Sequence, residues 1–187
     1  MAVPVPVGGY YTWRDVPTIN LPYRFELVDG VPVMMAPATR WHNHVMFRLA
    51  DALTRQAPDG YTVCVELGII LSEDTLAEAD IVICSGPVGP EEYAVMPDRV
   101  EVAVEIVSPG TYAKDRRLRP VDYAAVGIRY FWRVENEEGR AVIHTFKRAP
   151  GGGYVSAGVY HDRLTPSEPF PVQIPLDSVV PSGQPRR

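Results

Sequence analysis

Two strand-length apolar runs, Ala79-Asp80-Ile81-Val82-Ile83-Cys84 and Val102-Ala103-Val104-Glu105-Ile106-Val107, each carry a single carboxylate. Such runs belong in the interior of a sheet, where one unpaired carboxylate is costly to bury and a second is harder still to excuse. A divalent cation held between two strand ends neutralises both acids, and a donor set made of oxygens suits Mg²⁺ or Mn²⁺. Hydrolysis of phosphodiesters is the metal-dependent chemistry that this pairing serves.

The pattern around these runs predicts one domain of mixed α and β structure. The 187 residues fit a single core. We place that domain at residues 15–180, preceded by a flexible segment over 1–14 and followed by a frayed tail over 181–187. Asp29-Gly30 between Arg24-Phe25-Glu26-Leu27-Val28 and Val31-Pro32-Val33-Met34-Met35 predicts a tight hairpin, with Pro32 on an edge strand. Val45, Leu49, Ala52 and Leu53 share one helical face, which predicts a helix over about residues 39 to 56. Strands follow from Tyr61 to Leu71, around 80 to 84 and around 100 to 107. A short helix from Pro120 to Ala125 precedes three more strands, near 128 to 134, 141 to 146 and 154 to 160. The order of elements suits a mixed sheet covered by helices.

Composition narrows the function classes. A net charge of −5 argues against a basic footprint over the whole surface and leaves room for a local patch. The start of the chain lacks the basic, then apolar, pattern of a targeting signal, and no apolar run approaches the length of a membrane span, so the expectation is a cytoplasmic protein with no membrane partner. Cys64 and Cys84 fall in strands without metal-type spacing and read as reduced core residues. Of 18 basic residues, only Lys114 and Lys147 are lysines.

Residues 23 to 146 resemble a known family. In order, the matching segments are Tyr23-Arg24-Phe25-Glu26-Leu27-Val28-Asp29-Gly30, Met34-Met35-Ala36-Pro37, His42, Ala79-Asp80-Ile81-Val82-Ile83 and Val104-Glu105-Ile106-Val107-Ser108-Pro109-Gly110-Thr111. Tyr123-Ala124-Ala125-Val126-Gly127-Ile128 and Tyr130-Phe131-Trp132-Arg133-Val134 complete the set. Together they look like the Uma-type restriction endonucleases, bacterial members of the PD-(D/E)xK superfamily. The resemblance implies a restriction-endonuclease-like α/β fold, a mixed sheet with flanking helices. It also implies a site binding Mg²⁺ or Mn²⁺ that hydrolyses nucleic acid, with DNA preferred to RNA. Since duplex-cutting members of that superfamily often pair two sites, a homodimer is expected.

Position by position, the resemblance makes Asp80 and Glu105 the two metal ligands and Glu26 an auxiliary acid. The sequence departs from the superfamily at Ala79, where a proline often stands, and at Val107, where the lysine usually stands. In this family the lysine moves to the following helix, four residues after an aspartate and four before a tyrosine; Asp115 and Tyr123 keep that spacing around Arg119. Arginine stabilises charge on phosphate but holds its proton too firmly to serve as a base. Arg119 is therefore expected as an electrostatic stabiliser, unless Lys114 reaches in from one turn away.

Plainer readings stand beside these. Asp80 can cap a loop at a strand start, Glu105 can form a buried ion pair with an arginine, and Glu26 fits the polar face of a hairpin. His42 and His44 read as polar residues at a helix start, the basic run from Lys114 to Arg119 as a solvated face, and Trp132 as core or interface. The rival functional class is a catalytically silent nuclease-fold protein that binds nucleic acid or a protein partner.

Overall fold

In the computed structural model, residues 9–22 and 24–182 are described. Tyr23, which heads the first matching segment, and much of the expected flexible start and frayed tail lie outside the described residues. Before residue 14 the chain is already docked: Tyr11 N donates to Gly30 O at 2.9 Å and Trp13 N to Glu73 O at 3.0 Å.

Strands β1 (Phe25–Val28) and β2 (Val31–Met34) form the expected hairpin. Asp29 and Gly30 turn it with φ of 49° and 74°, the paired positive values that make Asp-Gly the preferred connection. Pro32 sits in β2 at the end of the sheet, where its missing N–H deprives no neighbour. Helix α1 (Arg40–Thr54) opens on Thr39, whose side chain accepts from His42 N at 3.2 Å. It buries Trp41, Val45, Met46, Leu49 and Leu53 against the sheet.

Strands β3 (Tyr61–Ile70) and β4 (Leu76–Ser85) pair antiparallel over almost their whole length. A two-residue β5 (Ala94–Val95) adds to β3 in parallel, and β6 (Val100–Ile106) pairs with β4. After β6 the chain makes one π-helical turn (Lys114–Leu118) that runs directly into α2 (Arg119–Ala125). This crossover delivers β7 (Tyr130–Glu137) parallel to β6, and β8 (Arg140–Arg148) and β9 (Tyr154–Tyr160) extend the sheet antiparallel. A small pair, β10 (Arg163–Leu164) with β11 (Ile174–Pro175), closes the chain. Among the described residues no helix is long and apolar enough to cross a membrane.

The nine-stranded sheet is covered on two sides. One face packs α1 and the segment carrying Phe170, Val172, Ile174 and Leu176 on Ile81, Ile83, Val102, Val104, Ile106 and Trp132. The other packs Tyr123 of α2 and Ile128 on Val82, Cys84, Ala103 and Phe131. Trp132 is thus a core residue, and both cysteines are free thiols.

The register of β4 opens a gap in the sheet. β3 lines one edge of β4 throughout, so β1, paired at Leu27 with Leu76, and β6, paired from Ile81 with Val104, must share the other edge. Between them, residues 77–80 of β4 face a gap in the sheet.

Candidate active site

All four acids that approach this gap come from different elements. Glu26 reaches it from β1, where its Oε1 accepts from Glu78 N at 3.0 Å. That bond satisfies a backbone donor that no strand pairs at this point, which explains why a hairpin residue is buried. Asp80 lies in β4 and accepts from Ile106 N at 2.6 Å through Oδ2, bracing the end of β6. Glu105 is on the same face, directed away from Val104 and Ile106 and towards α2. Asp115, on the π turn, is buried and hydrogen-bonded to Thr111.

The cations come from one segment. Arg119 donates to Glu26 Oε1, and its Nε lies 3.3 Å from Glu105 Oε1 as an ion pair without hydrogen-bond geometry. Tyr123 donates its hydroxyl to Glu105 Oε1. Lys114 Nζ binds Glu26 Oε2 while its side chain keeps 30% exposure, against 6% for Arg119. Asp115, Arg119 and Tyr123 are spaced four apart and all buried, and Lys114, which opens the π turn, lies beside them on Glu26.

From the opposite face, His42 of α1 brings Nε2 to 3.1 Å from Asp80 Oδ2. Burial is the largest single influence and works against its protonation, but the hydrogen bond and charge of Asp80, with Asn43 and Asp115, together raise the imidazole pKa. His42 is therefore a buried partner of the acid pair, not the polar surface residue that its place at a helix start suggests.

Electrostatics follow from confinement. Burial drives the Glu105 pKa well up; Arg119 and the Tyr123 hydrogen bond pull it down, while Asp80 and Asp115 add to the rise. Burial likewise raises Asp115 to about 6. Burial opposes the charge on Arg119, yet Tyr123, Glu105 and Glu26 hold it protonated. Among the described residues, Arg119 and Lys114 are the fixed cations set against the carboxyls of Glu26, Asp80, Glu105 and Asp115, and the raised pKa values of Glu105 and Asp115 reflect burial together with that shortage of positive charge.

The donor set suits a hard divalent cation. Among the described residues, the hydrogen bonds and ion pairs of Asp80 run through Oδ2 and those of Glu105 through Oε1, which leaves Oδ1 and Oε2 for a cation. No group of three His, Cys, Asp or Glu residues converges as a metal cage among the described residues. Two carboxylates with water and substrate oxygens completing the shell is the usual way Mg²⁺ is held.

The structure brings all four expected site residues, Glu26, Asp80, Glu105 and Arg119, to one place. It also shows that Glu105 forms the buried arginine pair that its sequence allowed. His42, Lys114, Asp115 and Tyr123 join them. The four-residue spacing of Asp115, Arg119 and Tyr123 was the sequence signal for the helix members; His42 was among the residues that carry the family resemblance, but its local pattern gave it no role at the site.

The Uma2 family model, described as "Putative restriction endonuclease", matches residues 10–177. Among solved structures, the chain is similar to one described as a "putative nuclease belonging to DUF820" from Anabaena variabilis, with a TM-score of 0.65 and 14% identity. The likeness covers 93% of this chain and 97% of that one. At this identity it shows the nuclease-like fold. No curated protein matches the chain.

Proposed function

The chain belongs to the Uma2 restriction endonuclease family, and from that premise we propose that it is a divalent-metal-dependent endonuclease acting on DNA. The observation that carries this reading is the buried, acid-rich cluster at the gap in β4, where Asp80 and Glu105 share one face of neighbouring strands and each keeps one carboxyl oxygen outside the hydrogen bonds and ion pairs of the described residues. A purely structural cluster gains nothing from burying four carboxyls beside two fixed cations, at the cost of raised pKa values for Glu105 and Asp115.

Asp80 and Glu105 would hold Mg²⁺ or Mn²⁺, which supplies polarisation of the scissile phosphate and a lowered pKa for an attacking water. The remaining roles belong to the chain. His42 and Ile106 N fix Asp80 through Oδ2 and so orient Oδ1. Tyr123 and Arg119 do the same for Glu105. Arg119 is enclosed between two acids, so its charge aligns Glu26 and Glu105 and is spent inside the protein. Lys114, bound to Glu26 but partly exposed, is the cation available to a phosphate oxygen. The amine that the superfamily chemistry uses would thus come from a residue one turn earlier than Arg119. Two copies with one centre each would cut both strands of a duplex in one encounter, which favours a homodimer as the working form.

The test is cleavage of supercoiled plasmid and single-stranded DNA in Mg²⁺ or Mn²⁺ by the parent chain and by Glu105→Gln. Cleavage that depends on the metal and disappears in the variant is expected; retained cleavage by Glu105→Gln overturns the assignment. The capture of Glu105 by Arg119 favours one second reading, a silent nuclease-fold protein that binds without cutting. Binding of DNA with no cleavage in either metal would establish it.

A further inference from the structure

On the α2 face of the sheet, away from the acid cluster, β7, β8 and β9 form the floor of a cavity of about 450 Å³ roofed by α2. The volume lies in the range of small-ligand sites. Phe131, Phe146 and Tyr154 line it, with Phe131 and Phe146 stacked at 5.7 Å and 23°. Three arginines converge on the same space: Arg116 from the π turn, Arg133 from β7 and Arg148 from β8. In a chain of net charge −5, a concave site with three guanidinium groups is a selective feature.

Their charge is only partly answered. Glu135 takes Arg116 and, at 2.8 Å, Arg133 Nε. Arg148 donates Nε to Ala124 O at 2.8 Å. Among the described residues, the terminal nitrogens of Arg133 and Arg148 make no other bond, and Arg116 Nε is buried without a hydrogen-bond partner. Arg133 Cζ also sits 5.3 Å from the Phe146 ring centroid, so cation and aromatic face are held together. Gly152 and Gly153 border the mouth, where a Cβ would meet nothing within 4 Å.

A cationic rim over an aromatic floor recognises a ligand that is anionic at one end and flat at the other. We propose that this cavity binds a single nucleoside phosphate, its base against Phe146 and Tyr154 and its phosphate on Arg133 and Arg148. The π turn ties the two sites together: Asp115 points to the acid cluster and Arg116 to this cavity. The ligand is either a free mononucleotide or an unpaired nucleotide of a strand. The proposal rests on the cavity alone and does not depend on cleavage.

The test is calorimetric titration of the full chain with deoxyadenosine monophosphate, with inorganic phosphate, and with a duplex carrying one unpaired adenosine beside the fully paired duplex. The monophosphate is expected to bind at least about tenfold more tightly than phosphate, since base stacking adds to the charge contact. Arg148→Gln should weaken it at least about tenfold, the worth of a hydrogen bond to a charged group, and Phe146→Leu by several-fold. Glu105→Gln should leave it unchanged. Tighter binding of the unpaired-nucleotide duplex than of the paired one identifies a strand as the source; equal duplexes with a binding monophosphate identify a free nucleotide. No binding of the monophosphate, binding no tighter than phosphate, or unchanged binding in folded Arg148→Gln and Phe146→Leu chains overturns the proposal.

Discussion

Replacing Asp115 by Asn should stabilise the protein at neutral and alkaline pH. Asp115 is 3% exposed, and burial, helped by the nearby Asp80 charge, pushes its pKa from 3.8 to about 6 against the pull of Thr111, Lys114 and Arg119. Because the folded value lies above the unfolded one, the native chain binds more protons between about pH 4 and 6. Stability from this group therefore falls as pH rises through that window and stays low above it. A gap of about two pH units, at about 1.4 kcal/mol each, corresponds to about 3 kcal/mol lost at pH 8. The amide is neutral throughout; allowing about 1 kcal/mol for a weaker hydrogen bond with Thr111 leaves a net gain of about 2 kcal/mol. For a chain of this size that raises Tm by roughly 4–8 °C. Urea and thermal unfolding of parent and variant at pH 8 and pH 4 provide the measurement, with the gain expected to vanish at the lower pH. A variant no more stable at pH 8, or equally more stable at both, would refute a buried carboxylate held ionised at a cost.

Arg119→Ala should lower stability by about 3–5 kcal/mol in urea unfolding, because it strands Glu26 and Glu105 without their shared buried counter-ion; a loss below about 1 kcal/mol would show that the acids are already neutral. Mg²⁺ or Mn²⁺ at a hundred times its Kd should stabilise the parent by about 2.7 kcal/mol and leave Asp80→Asn unmoved in thermal shift. Gly30→Ala should cost at least about 1 kcal/mol, since φ is +74° and the new methyl would lie 2.6 Å from Tyr10 Cβ; an unchanged Tm would place no weight on that contact.

Elements written in local chemistry could be read directly. The hairpin follows from the backbone freedom of Asp-Gly, and α1 from apolar residues recurring on one helical face, ending within two residues of the expected bounds. β9 occupies the expected residues 154–160. By contrast, β5 is two residues long and exists only because β3 offers it a parallel edge. The π turn depends on a single extra residue between β6 and α2, which no periodicity announces.

The candidate site divides along the same line. Asp80 and Glu105 were visible because a lone charge inside an apolar strand has an energetic cost that composition alone reveals. Glu26 looked like any hairpin residue, and its burial is decided by Lys114 and Arg119, 88 and 93 positions later, and by a gap in the edge of β4. His42 looked like a helix-start residue until α1 was laid across the sheet and its ring met Asp80. Side-chain period and turn chemistry act between near neighbours in the chain, so the sequence alone determined the longer strands, the main helix and that Asp80 and Glu105 needed a partner. Coulomb energy and desolvation depend on separation in space, so only the packed structure decided that Arg119 would be enclosed between Glu26 and Glu105 and that Lys114 would stand at the opening.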